Sequence, residues 1–273
     1  MPTVTTNHDV KLHYTDAGQG RAVVLSHGWP LSGEAFAANE AALVDAGHRV
    51  IRYDRRGFGR SDKPTTGYDY DTLADDLDAL LTGLDVRDAV ILGFSMGGGD
   101  VLRYLSRQGS DRVAGLVLSG SVAPMLGITE DNPDGAMPVQ AFMDMADTFQ
   151  QDPDDFLTGF LTNFFSNDEG LQVSDQDRAA ARTIAEQADV AAAAECIRIW
   201  PTDLREDCRR VAVPTLIIHG DGDQNVPLEP SSRRAHDLVP GSRLHVIEGG
   251  THGANLSHQA LWEAALLDFL ESL

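Results

Sequence analysis

Seven short apolar runs, rich in β-branched residues, punctuate this chain at 10–15, 22–26, 49–53, 89–93, 113–118, 215–219 and 243–247. Longer stretches with helical periodicity separate them, near 33–46, 71–84, 96–108, 231–238 and 258–273. Such alternation leaves few folds open, because parallel strands need long crossovers and a parallel sheet must be covered on both faces. The expected class is α/β, with a mostly parallel central sheet and flanking helices. In the second helical stretch Leu73, Leu77, Leu80, Leu81 and Leu84 recur at helical spacing and form a stripe that must face the sheet. Asp71 stands just before this stripe as its expected N-cap.

The alternation stops between about Val122 and Val211. There Pro124, Pro133, Pro138, Pro153 and Pro201 break up mostly helical, Asp-rich sequence. The strand pattern resumes at Val213, so the insert must leave and re-enter one sheet. The expected organisation is a core of residues 1–121 and 212–273 with a helical lid of residues 122–211. In open α/β sheets ligands bind beyond the carboxyl ends of the strands, which puts such an insert over the site.

Charge excludes several functions. Lys and Arg total 21 against 42 Asp and Glu, a formal net charge of −21, and only Lys11 and Lys63 are lysines. A surface of that sign repels phosphate, so neither nucleic acid nor anionic lipid is an expected partner. Dense Asp with almost no Lys resembles proteins of salt-loving organisms, in which acidic surfaces maintain solubility; a GC-rich genome favouring Arg and Ala is the alternative. No run reaches the roughly 18 apolar residues that span a bilayer, and the first residues carry no signal-peptide pattern, so a cytoplasmic protein is expected. Cys196 and Cys208 have no CxxC spacing, and the nine His are scattered without HxH or HExxH, so no disulfide framework and no metal site is expected.

The segment Val90-Ile-Leu-Gly93-Phe-Ser95-Met-Gly97-Gly98-Gly99 carries the chemistry. It matches G-x-S-x-G, with an apolar strand entering and an amphipathic helix leaving. A Ser on so sharp a turn sits in a strained conformation, and Gly93 and Gly97 present no Cβ to the crowded backbone. The helix beginning under Ser95 turns its amides and dipole toward an oxyanion. Successive glycines at a helix start cost about 1 kcal/mol each against Ala, which points to close packing of helix on sheet. Ser119 and Ser121 end another strand, but Pro124 follows where a helix would begin, and they read as the exit into the insert. Ser26 belongs to a different loop.

A Ser hydroxyl needs a His to take its proton, and that His needs a carboxylate to hold its tautomer. In this arrangement the chain order is Ser, acid, His. Thr215-Leu-Ile-Ile-His219-Gly-Asp221-Gly-Asp223 is a strand entering an acidic loop, and residues 243–252 are a strand ending in Thr251-His252. Asp223 is the expected acid, with Asp221 suited to turn hydrogen bonding, and His252 is the expected base. The expected oxyanion donors are the N–H of Met96, after the nucleophile, and that of Trp29 in His27-Gly28-Trp29-Pro30, since Pro30 has no N–H. His27 and His219 read as loop-orienting residues. Pro30 and Phe94 are expected at the substrate pocket, with Trp29, Phe142, Phe164 and Trp200 as further candidates for an apolar wall.

With these residues in view the chain resembles the α/β-hydrolase superfamily, and within it the cofactor-free bacterial haloperoxidases, or perhydrolases, and their aryl-esterase relatives. The resemblance rests on His27-Gly-Trp-Pro30, Tyr53-Asp-Arg-Arg-Gly-Phe-Gly-Arg-Ser61, Gly93-Phe-Ser-Met-Gly-Gly-Gly99, Thr202-Asp-Leu-Arg-Glu-Asp207, His219-Gly-Asp-Gly-Asp-Gln224 and Thr251-His-Gly253. It implies Ser95, Asp223 and His252 as triad, Trp29 and Met96 as oxyanion donors, and no cofactor. It implies hydrolysis of small carboxylic esters through an acyl-enzyme, with hydrogen peroxide replacing water to give a peracid that oxidises halide in solution. Pro30 fits that activity, because related perhydrolases carry Pro beside the oxyanion residue. Homo-oligomerisation is an expectation carried by the resemblance alone. Two positions depart from the pattern: Asp100 stands where relatives often carry Glu, and Asn225 where an apolar residue commonly precedes Val-Pro. A Ser nucleophile argues against dehalogenases and epoxide hydrolases of this fold, which use a carboxylate there. The alternatives are a carbon–carbon bond hydrolase or lactonase on the same triad, or a catalytically idle ligand receptor.

Overall fold

In the computed structural model, which describes residues 2–273, the strands of the first half are β1 (Thr3–Thr5), β2 (Lys11–Ala17), β3 (Ala22–Ser26), β4 (Arg49–Tyr53), β5 (Ala89–Phe94) and β6 (Val113–Ser119). Two-residue strands β7 (Gly127–Ile128), β8 (Met137–Pro138), β9 (Ser166–Asn167) and β10 (Gly170–Leu171) follow, then β11 (Thr215–Gly220) and β12 (Arg243–Ile247). Eight of these form one sheet in the order β1-β2-β4-β3-β5-β6-β11-β12. Pairing is antiparallel for β1 with β2 and β2 with β4, and parallel from β4 to β12. The parallel strands β3, β5 and β11 are buried along their whole length, as β-branched runs covered on both faces must be. Strand β1 carries too short a run to be read from pattern; it is held by pairing Thr3–Thr5 with Lys11–His13.

The helices of the first half are α1 (Ala37–Asp45), α2 (Tyr70–Gly83) and α3 (Gly97–Gln108). Between β6 and β11 come α4 (Val139–Gln151), α5 (Pro153–Phe164), α6 (Asp175–Ala185), α7 (Val190–Arg198) and α8 (Arg205–Arg209). After β11 come α9 (Arg234–Leu238), α10 (Ala254–Ser257) and α11 (Gln259–Glu271). α1 packs with α11, and α2 with α3, as layers on the sheet. Leu73, Leu77, Leu80 and Leu81 of α2 are fully buried, and Leu84 is half-buried beyond the helix end.

The cap of α2 differs from expectation. Asp69, not Asp71, is the N-cap, its carboxylate accepting the Thr72 N–H at 2.8 Å. With the Tyr70 ring buried, the first helical residue lies two positions earlier than an Asp71 cap would place it, and Asp71 is left facing Arg103 and Arg107. Residues 122–211 contribute nothing to the main sheet, but they are not strandless: β7 pairs with β8 and β9 with β10. Helices α4 to α7 pack on one another in this segment, and the buried Trp29 indole ties it to the core by donating to Ala193 O at 2.9 Å.

Candidate active site

β5 runs straight into Ser95, whose φ of 56° lies in the left-handed region, and α3 leaves at Gly97. That turn is possible only without side chains beside it. A Cβ at Gly93 would stand 2.6 Å from Gly98 Cα, and one at Gly97 would stand 2.5 Å from Ser26 O and 2.9 Å from His27 O. The glycines therefore let α3 sit against the end of β3, at the conformational cost that Gly carries in a helix.

Ser95 lies 2.9 Å through Oγ from His252 Nε2, and His252 Nδ1 lies 2.6 Å from Asp223 Oδ2. The carboxylate can only accept, so Nδ1 carries the proton and Nε2 is left to accept the Ser95 hydroxyl proton. All three residues are buried. Asp223 Oδ1 accepts the N–H groups of Asn225 at 2.9 Å and Val226 at 2.8 Å, which fixes the carboxylate plane. Burial alone would raise the Asp223 carboxyl; the His252 charge and the hydrogen bonds from His219 and His252 overcome it and hold the group well below its ordinary range. Phe94 and Phe164 enclose the His252 ring at centroid distances of 5.1 and 4.8 Å. Asp221 is not in this relay; its Oδ1 accepts the Gly249 N–H at 2.7 Å and ties two loops together.

His219 sits on the other side of Asp223. Its Nε2 is 2.8 Å from Val226 O and 3.2 Å from Asp223 Oδ2, and its Nδ1 is 2.7 Å from Ser232 Oγ. Two acceptors at Nε2 require the proton there, so the ring orients the acidic loop and touches the acid as well. His27 has a similar part in the other loop: Arg55 N–H donates to its Nε2 at 3.0 Å, and its Nδ1 donates to Gly28 O at 2.9 Å. Burial, with the Arg55 charge beside it, holds this imidazole well below its ordinary value and so neutral.

Among the described residues no acceptor takes the N–H of Trp29 or of Met96. Both belong to segments pinned by a buried ion pair that motif reading did not assign. Asp100, in the first turn of α3, accepts from Arg55 Nη2 at 2.5 Å and Nε at 3.0 Å, and Arg55 Nη2 also donates to His27 O at 2.7 Å. Burial works against both charges; the partner keeps Arg55 raised, while the Asp100 carboxyl is pushed up against the pull of Arg55. Substituting Asp for Glu at this position therefore places a short carboxylate in a defined contact. The available signal was a charged Asp within an otherwise apolar first turn.

A cavity of about 410 Å³ opens over Ser95 and His252. Gln224, Asn225 and Val226 wall it from the loop after β11; Val122, Leu126, Phe142, Phe156, Phe160 and Trp200 wall it from the segment between β6 and β11. Phe142 and Trp200, two of the aromatic candidates, are therefore in this wall. Pro30, Phe94, Phe164 and Trp29 are not in the wall. Phe94 and Phe164 are used up in packing His252, and Trp29 lies one layer back, edge-on to Phe149, Phe160 and Trp200 at 4.8 to 5.3 Å. Pro30 is buried in the loop behind the site. Asn225, the second departure from the pattern, lines the cavity itself.

Residues 21–259 match the family model described as alpha/beta hydrolase fold. A putative non-heme chloroperoxidase of Synechocystis is 40% identical over 99% of this chain and 100% of the relative. A bifunctional esterase/perhydrolase of Acinetobacter calcoaceticus is 34% identical over the whole of both chains. The crystal structure of a bromoperoxidase from Bacillus anthracis superposes with a TM-score of 0.94, at 41% identity and 99% coverage of each chain. No helix among the described residues is long and apolar enough to cross a membrane. With a nearly full-length match of this kind, the chain belongs to the alpha/beta hydrolase fold family and is one of its enzymes.

Proposed function

We propose that this enzyme is a serine esterase for small carboxylic esters, with peracid formation from hydrogen peroxide as a second outcome of the same acyl-enzyme. The observation that carries the reading is the unbroken relay Ser95 Oγ–His252 Nε2 and His252 Nδ1–Asp223 Oδ2 at the floor of an apolar cavity. Ser95 attacks the ester carbonyl while His252 takes its proton, and Asp223 stabilises the imidazolium that results. The N–H groups of Trp29 and Met96 receive the oxyanion. His252 then protonates the leaving alkoxide, and water or hydrogen peroxide, deprotonated by His252, attacks the acyl group. Water releases the acid and peroxide releases the peracid. The names of the relatives, which include an esterase/perhydrolase, support this chemistry. Residues 122–211 serve as the lid, since this segment supplies most of the apolar wall.

The test is initial rates on p-nitrophenyl acetate, butyrate and octanoate, at low and molar salt, for wild type and Ser95→Ala, with and without hydrogen peroxide and a peracid trap. Short-ester turnover and trapped peracid in the wild type, both lost in Ser95→Ala, are expected. No ester turnover at any salt concentration would refute the esterase assignment and favour a carbon–carbon hydrolase or a receptor.

A further inference from the structure

Met137 and Met145 line the cavity that contains Ser95 and His252. They come from separate elements, β8 and the middle of α4. Along α4, Phe142, Met145 and Phe149 fall at i, i+3 and i+7 and share its inward face. Met143 is half-buried like Met145, yet it is absent from the cavity wall and its Sδ lies 4.0 Å from Arg198 Nη1. Among the described residues two methionines thus line the cavity and, two residues from one of them, a third of similar exposure faces elsewhere.

Resting on the esterase and peracid reading above, we propose that Met137 and Met145 are a self-modification site, oxidised to sulfoxide by the peracid formed on Ser95. The sulfur lone pair takes the terminal peroxidic oxygen, the O–O bond breaks, and the peracid proton ends on the departing carboxylate. A peracid and a thioether thus become a carboxylic acid and a sulfoxide; sulfur loses two electrons and the peracid gains them. The oxidant is the peracid itself, supplied by the ester and hydrogen peroxide.

Location decides which sulfur reacts. One molecule confined to 410 Å³ corresponds to roughly 4 M, so newly formed peracid meets these two thioethers at a concentration that bulk solution never reaches. A thioether needs no deprotonation to react, whereas a thiol reacts as thiolate. Cys196 and Cys208 are fully buried outside the cavity wall, and burial pushes both thiols up to about 12. Sulfoxide formation turns a flexible apolar side chain into a polar one. Leu126, Phe142, Phe156, Phe160 and Trp200 supply much of the apolar surface of the wall, and a polar sulfoxide among them weakens binding of longer acyl chains more than binding of acetyl.

The experiment maps sulfoxides by peptide mass spectrometry after turnover of p-nitrophenyl butyrate with hydrogen peroxide, with peracid followed separately by a trap. Wild type with peroxide alone and Ser95→Ala with both reagents are run in parallel. Met137 and Met145 are expected to gain oxygen ~10-fold faster than Met143 in the turning-over wild type, and no faster than Met143 in either control. KM for butyrate should rise as the sulfoxides accumulate. Met137→Leu/Met145→Leu, each preparation normalised to its own starting rate, should lose activity more slowly. Trapped peracid with no preference for the cavity methionines overturns this inference alone. Absence of peracid overturns the peracid reading and the inference together.

Discussion

Replacing Asp100 by Asn tests whether one buried ion pair sets the spacing of the two proposed oxyanion donors, the N–H groups of Trp29 and Met96. Asp100 lies four residues after Met96 on α3 and is fully buried. Its Oδ2 accepts from Arg55 Nη2 at 2.5 Å, from Arg55 Nε at 3.0 Å and from Ser26 Oγ at 2.8 Å. Arg55 in turn holds His27, two residues before Trp29, through the His27 carbonyl at 2.7 Å and the His27 ring at 3.0 Å. A chain of contacts thus joins the backbone of Met96 to that of Trp29. Asn keeps the shape and one accepting oxygen but removes the counter-charge of a guanidinium that is 1% exposed.

Removing one partner of a buried pair costs about 3–5 kcal/mol, and the remaining carboxamide acceptor places this case at the lower end, about 3 kcal/mol. Loss of a whole oxyanion donor costs about 10²–10³ in kcat, so a displaced one should cost ~30-fold, with KM nearly unchanged because the donors act on the tetrahedral oxyanion rather than on bound ester. Urea unfolding measures the first quantity and steady-state rates on p-nitrophenyl butyrate the second. The affinity of a boronic acid, which forms a tetrahedral adduct on Ser95, should fall in step with kcat. Asp100→Glu retains the charge and should recover part of both. A stability loss below about 1 kcal/mol would show that the pair is not a major restraint. Full stability loss with unchanged kcat and boronate affinity would refute its role in setting the donors.

Two further tests concern the histidines. His27 is buried and neutral, its value held well below the usual ~6.5 by burial and Arg55. Below that pH the unfolded chain binds a proton that the native state refuses, so this residue makes stability fall with acid, by up to about 1.4 kcal/mol per pH unit. His27→Gln should flatten the stability profile measured by urea unfolding between about pH 6 and 4.5, and an unchanged slope would contradict the burial argument. Asp223→Asn should lower kcat by about 10⁴ with little change in KM, since an amide no longer selects the tautomer with Nδ1 protonated. A drop of less than ~10-fold would exclude Asp223 as the partner of His252 and turn attention to the other loop groups around it.

The sheet was legible because a buried parallel strand needs an unbroken β-branched run, and β3, β5 and β11 stand within a residue of where those runs lie. The cap of α2 was not legible, because the burial of Tyr70 at the helix start is a property of its neighbours in space. The pocket was the least readable part. Phe94 and Phe142 are equally aromatic in sequence, yet one packs on His252 and the other lines the cavity.

Local chemistry determined the elements and the proposed reacting groups: strand runs, the helical stripe, and a Ser, an Asp and a His each at a strand end, because backbone strain, periodicity and proton transfer constrain residue types over short spans. Tertiary structure alone decided which methionines face the cavity. It also decided that Arg55, Asp100 and His27 form one buried cluster linking the segments of Trp29 and Met96. These are contacts between residues tens of positions apart, and their distances follow from how β3, β5 and α3 pack, which no local pattern encodes.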